Sequence, residues 1–292
     1  MRPGVIVLAH IMSRRTTRLL KCVAAVAVLL VSCGPPLSAD PASNGWRITF
    51  DDEFDGGAGS QPNPSTWLPD VGGTGWGNNE LQYYTAGDNT YLDGDGHLVI
   101  EAREGSGGHS CGYGPCRYTS GKLATHSWSR SVTFSQRYGR FEARMKVPVG
   151  EGMFPAFWLL GDNISDVGHP QAGEIDVMES LGHDVQEVQQ HAHGPGLSFG
   201  SDYTLPNGQS VADWHTYSIE WTSDRIDWQV DGYTTRSLTK DQAGPGWVFD
   251  HGFFLLLNLA VGGDWPGDPD ASTVFPARMF VDYVRVYEPE QS

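Results

Sequence analysis

GEIDVMES occupies residues 173–180. It sets Glu174, Asp176 and Glu179 within six residues, with Ile175, Val177 and Met178 between them. The apolar residues belong to a buried strand, a place where three carboxylates are not expected. Side chains alternate along a strand, so Glu174 and Asp176 share a face and Glu179 has the wrong parity to join them. One extra residue at Val177-Met178, a β-bulge, brings Glu179 back to the face of its partners. The two glutamates then stand roughly 13 Å apart at Cα, and side chains leaning together close the carboxyl gap to about 5–6 Å.

The segments on either side carry the same period of two. WRITF (46–50), HLVIEAR (97–103), FEARMKVP (141–148), TYSIEW (216–221) and RIDWQV (225–230) alternate apolar and polar residues. FFLLLNLAV (253–261) is a predominantly apolar run, as in a strand covered on both faces, and MFVDYVRVYE (279–288) closes the chain. Asp231-Gly232 supplies a two-residue hairpin turn. Glycine (37) and proline (18) separate these runs, no long 3.6-residue pattern follows residue 40, and DQAGPGW (241–247) holds a helical turn at most. The pattern predicts an all-β domain over 46–289, a sandwich of two antiparallel sheets.

Residues 1–33 hold five basic residues, no acid, and the apolar run CVAAVAVLL (22–30), which reads as a secretory signal too short to span a membrane with confidence. Two exits are open. LVSC followed by Gly34 fits a lipobox that lipidates Cys33; LSA (37–39) fits ordinary cleavage. Residues 34–45 then form a tether and 290–292 a tail, and the protein is exported, free or lipid-anchored. Loss of 1–33 moves the net charge from −16 to −21, which repels nucleic acid and favours a neutral partner. Cys111 and Cys116 in CGYGPC remain, and export favours a disulfide between them.

Three carboxylates on one face admit three readings. Hard cations take carboxylate ligands, but a regular strand wraps them poorly. A solvated edge strand carries charge for solubility. The third reading is glycoside hydrolysis, in which one carboxylate attacks and another carboxyl donates a proton; retaining enzymes need carboxyls about 5–5.5 Å apart and inverting ones about 6.5–9.5 Å. Crowding raises the cost of ionising all three, so one holds its proton near neutral pH. Tryptophans favour this reading, since aromatic faces stack on sugar rings. Trp76, Trp158 and Trp265 lie at or near glycine-rich bends, whereas Trp214, Trp221 and Trp228 fall in or beside alternating strands and read as core.

Taken in order, GWGNNELQYYT (75–85), YGRFEARMKVP (138–148), FPAFWLLG (154–161), GEIDVMES, HGP (193–195), DWHTYSIEW (213–221), DRIDWQVDG (224–232), NLAVGGDWPG (258–267) and VDYVRVYE (281–288) resemble glycoside hydrolase family 16, nearest its bacterial endo-β-1,3-glucanases, the laminarinases. The resemblance implies a concanavalin-like β-jelly roll of two curved sheets with a concave substrate cleft. It implies a retaining double displacement on a neutral β-glucan, with Glu174 as nucleophile, Glu179 as acid/base and Asp176 assisting, and no cofactor for catalysis. It places Trp76, Asn78, Glu80, Trp158, His193 and Trp265 along the cleft. It also implies a structural calcium at Glu53, Gly96 and Asp282, against which stands an ion pair from Asp282 to Arg285 or another base. The chain reads as a monomer. Relatives that only bind glucan lack the acids this chain keeps, and transglycosylases or hydrolases of another β-glucan or a galactan share the fold.

Overall fold

A computed structural model describes residues 45–127 and 131–290. The expected signal (1–33), its Cys33, the tether apart from Gly45, and the end of the tail lie outside the described residues. Two sheets face each other. The first runs Leu197–Thr204, Glu187–Gly194, Glu174–Glu179, Met153–Gly161, Phe253–Val261, Lys122–Ala124, Leu68–Pro69. The second runs from Tyr233–Thr239 through Arg225–Val230, His215–Trp221 and Gly139–Lys146 to the long strand Ala277–Pro289, then on through Leu98–Glu104 to Tyr118–Ser120 and Gln82–Tyr84. All pairings are antiparallel except Gln82–Tyr84 with Tyr118–Ser120, which run parallel, a departure from the all-antiparallel expectation. Asp231 and Gly232 both take positive φ (51° and 78°), the geometry that closes a two-residue hairpin between Val230 and Tyr233.

One apolar core lies between the sheets. Phe141, Ala143 and Met145 meet Phe157, Leu159, Ile175, Leu255, Leu257 and Leu259, all fully buried. Odd-numbered residues of Met153–Gly161 and Phe253–Val261 therefore point inward. Even-numbered ones, Trp158, Leu160, Phe254 and Leu256 among them, pack on the outer face of the first sheet. That outer face is the jelly roll's concave side. Trp221 and Trp228 are core, as expected. Trp214 is not: it is half-buried beneath the cations of Arg144 and Lys146. Thr239 caps the short helix Lys240–Ala243 through a capping box with Gln242, which gives the expected helical turn its start.

The expected bulge is present. Phe157 pairs with Met178 but Trp158 with Asp176, and on the other side Asp176 pairs with His191 but Glu179 with Gln189. Val177 and Met178 are both fully buried in the core, so the residue after them returns to the concave face. The bulge is pinned from the opposite sheet, where Trp228 Nε1–H donates to the Asp176 carbonyl at 2.8 Å.

A second bulge explains another acid. Arg144 pairs with Tyr283 and Met145 with Val281, leaving Asp282 as the extra residue of its strand. Inward residues change from Met279 and Val281 to Val284 and Val286 across it. The acid in an apolar strand is thus turned outward by the ladder itself.

Removing the Trp228 indole N–H orphans a buried carbonyl at the bulge, so Trp228→Phe should lose at least about 1–3 kcal/mol of unfolding free energy in urea titration. An unchanged midpoint would show that the bulge does not depend on this bond.

Candidate active site

The strand Glu174–Glu179 lies between Met153–Gly161 and Glu187–Gly194, and its cross-strand neighbours build the site. Leu160, Trp158 and Ala156 lie opposite Glu174, Asp176 and Glu179 on one side. His193, His191 and Gln189 lie opposite them on the other. Entry into the strand requires Gly173: its φ is 75°, and a Cβ there would meet the Phe253 ring at 2.9 Å.

The bulge brings the three acids together. Asp176 has an oxygen within 4.8 Å of an oxygen of Glu174 and of one of Glu179. His193 Nε2 stands 3.5 Å from Asp176 Oδ2 and 4.0 Å from Glu174 Oε1. His191 Nδ1 lies 3.0 Å from Glu179 Oε2. His169 Nε2 approaches Glu174 Oε2 at 3.5 Å. Asp176 Oδ2 is buried and makes no hydrogen bond.

Burial dominates the electrostatics. It pushes the Glu174 carboxyl up to about 8, reinforced by the charge of Glu179 and opposed by the Lys122 ammonium. Asp176 is raised well above the usual carboxylate range by burial, then by Glu174 and Glu179. His193 is driven down to about 4 by burial and by its neighbours His191 and His169, so its ring is neutral. Glu174 and Asp176 therefore hold their protons at neutral pH.

Aromatic and polar side chains wall the cleft. Trp76, Asn78, Glu80 and Trp158 line it, as expected from the sequence. Trp158 Nε1–H donates to Asn258 Oδ1 at 2.7 Å, and Asn258 donates to the Tyr84 hydroxyl at 3.3 Å. Glu80 accepts from Gln82 at 2.6 Å and from Tyr84 at 3.2 Å, and burial lifts it to about 7. Asn78 keeps a buried Nδ2 without a partner. Trp265 forms a rim, 42 % exposed, edge-on to Phe154 and His191. Lys122, Tyr84, Phe154, Asn258, His169 and His191 escaped the sequence reading. Two had a visible signal: Asn258 interrupts an otherwise apolar strand, and His191 is in phase with His193. Lys122 had none, yet its ammonium sits 4.3 Å from the Trp76 ring centroid and 5.2 Å from that of Trp158.

Cys111 and Cys116 are disulfide-bonded. Their hairpin, with Tyr113, borders a depression that shares Glu80 with the cleft. At the expected calcium positions the acid side chains are engaged by arginines. Glu53 is bound through both oxygens by Arg285, at 2.7 and 2.9 Å. Asp282 is paired with Arg144 at 2.5 Å, and Gly96 lies beside Asp55. Among the described residues, the clusters of three or more metal-ligating side chains lie in the cleft and include neither Glu53 nor Asp282. Asp282 makes the ion pair to another base, because the bulge turns it toward Arg144.

Clustered carboxyls on a jelly-roll face, walled by tryptophans, are apparatus for cutting glycosidic bonds; fold and site define a glycoside hydrolase. The chain belongs to the glycosyl hydrolases family 16, whose family model matches residues 78–285. A Beta-glucanase of Rhodothermus marinus is 38 % identical over 94 % of this chain and 95 % of its own length. The catalytic domain of an endo-1,3-beta-glucanase (laminarinase) from Thermotoga petrophila is 45 % identical, with a TM-score of 0.77 over 84 % of this chain and 99 % of that domain. The endo-beta-1,3-glucanase of Pyrococcus furiosus is likewise 45 % identical, with a TM-score of 0.76 over 85 % of this chain and 96 % of its own.

A carboxyl raised from 4.5 to about 8 keeps its proton in the folded protein where the unfolded chain has released it. The fold then binds more protons than the unfolded state, and stability falls as pH rises through that window, by at most about 1.4 kcal/mol per pH unit for one group. Glu174→Gln removes this penalty. It should match the wild type in thermal unfolding near pH 4 and exceed it near pH 8; a variant less stable at pH 8 than at pH 4 relative to wild type would contradict the electrostatics.

Proposed function

We propose that this protein is an exported retaining endo-hydrolase of neutral β-1,3-glucan. The observation that carries the reading is the bulge at Val177-Met178, which brings Glu179 to the same face as Glu174 and Asp176. The relatives above, named for β-glucan and β-1,3-glucan hydrolysis, support the substrate.

The chemistry is a double displacement. The Glu174 carboxylate attacks the anomeric carbon while the Glu179 carboxyl gives its proton to the departing glycosidic oxygen, and that C–O bond breaks. Glu179, now a carboxylate, takes a proton from water; the water oxygen attacks the same carbon and releases Glu174. Lys122 favours the ionised form of Glu174. Asp176 keeps its proton through burial and, once Glu174 is ionised, can donate to it. His191, in contact with Glu179, holds that carboxyl over the leaving oxygen. Trp76 and Trp158 offer flat apolar surface to sugar rings, and the free Asn78 amide offers a donor to a hydroxyl. Side chains alone carry these steps. The basic, apolar N-terminal segment supports export.

A wider substrate range is the second reading, because one similar structure is a non-specific endo-beta-1,3(4)-glucanase. A panel of laminarin, mixed-linkage glucan, cellulose and agarose separates the two, with laminarin cleaved fastest and from within the chain.

Early product read by proton NMR should carry the β anomer, before mutarotation. An α product would end the retaining mechanism. Glu179→Gln should lower kcat on laminarin about 10²- to 10⁴-fold, with much less effect on the first step with an activated aryl leaving group. Glu174→Gln should abolish turnover on both.

A further inference from the structure

We propose that the cleft floor is also a site for a divalent transition-metal ion of the zinc class, ligated by Asp176, His193 and Glu174, and that this ion and the glucan exclude each other. The exclusion rests on the functional reading above; the site does not.

Geometry supplies the first support. Asp176 Oδ2, Glu174 and His193 present ligand atoms all within 4.8 Å of one another. His193 Nε2 lies 3.5 Å from Asp176 Oδ2 and 4.0 Å from Glu174 Oε1. Two ligands about 2.0–2.1 Å from a tetrahedral ion stand about 3.3–3.4 Å apart, so small side-chain shifts close the set around one ion. The cleft leaves a fourth position to water.

The second support is an unanswered polar atom. Asp176 is 3 % exposed, and its Oδ2 faces the His193 ring without a hydrogen bond. A buried carboxylate oxygen without a partner is costly, and a cation between it and the ring nitrogen would answer both. Backbone register fixes the arrangement, since Glu174 lies directly opposite His193.

The donors choose the ion. One imidazole nitrogen with two carboxylates suits zinc, copper or nickel, whereas calcium and magnesium take oxygen ligands. Lys122, whose charge acts on Glu174, opposes a second cation there and keeps binding reversible. A second trio, Asp176, Glu179 and His191, shares Asp176 but is closed by the contact of His191 with Glu179.

The test titrates zinc chloride into the untagged, chelator-treated full chain at pH 7.5 by calorimetry. One-to-one binding is expected, and magnesium should give no saturable signal. His193→Ala should weaken zinc more than about 100-fold, beyond the loss usual for a residue that only hydrogen-bonds a ligand. Asp176→Asn, nearly isosteric and so less exposed to misfolding, should do the same. His191→Ala should cost less than tenfold. Absence of zinc binding by wild type, or wild-type affinity in both His193→Ala and Asp176→Asn, would overturn the site. Equal loss in His191→Ala would overturn the ligand assignment. Laminari-oligosaccharide at saturation should raise the apparent Kd for zinc; zinc binding that ignores it would leave the ion site standing and overturn the exclusion.

Discussion

A single surplus residue in one strand governs this protein's chemistry. The apolar core between the sheets claims Ile175, Val177 and Met178 together, two of them consecutive. A regular strand cannot point neighbours to the same side, so the ladder must yield, and it yields by one register step against both flanking strands. Core packing of Met178 and outward placement of Glu179 are one event. The Trp228 indole, reaching across from the other sheet, holds the carbonyl of Asp176 at that step.

The same device recurs at Asp282, with a different result. There the surplus residue faces the convex side and meets Arg144, and the neighbouring Glu53 is held by Arg285. The charges neutralise each other at a surface where water is close, a setting in which ion pairs contribute little. Among the described residues, no arginine answers the acids in the cleft. Burial acts on Glu174 and Asp176, with Lys122 as the cation that opposes it at Glu174, so these two carboxyls keep protons instead of counterions. One bulge yields a surface ion pair and the other a proton store, and the difference lies in what the opposing strands contribute.

Much of the site was legible because period two is a strong constraint. Glu174 and Asp176 had to share a face, and their mismatch with Glu179 demanded a bulge. Trp76, Asn78, Glu80 and Trp158 were placed by resemblance and do line the cleft. Lys122, Tyr84 and Asn258 were not legible as a group. They come from three separate strands: Lys122–Ala124 adds beside Phe253–Val261 in the first sheet, and Gln82–Tyr84 ends the second. Trp214 misled in the opposite direction: it was expected in the core, but it precedes its strand and lies under two cations on the outer surface.

By itself the sequence determined the all-β class, the strand that bears the acids, the need for a kink within it, and the hairpin at Asp231-Gly232, because each follows from local alternation or from backbone freedom at a turn. Only the tertiary structure decided which cation stands over the tryptophans, which imidazole touches which acid, and that Glu53 and Asp282 are spoken for by arginines. Those contacts join residues far apart in the chain, and which of them form depends on sheet order and register, quantities that no single strand encodes.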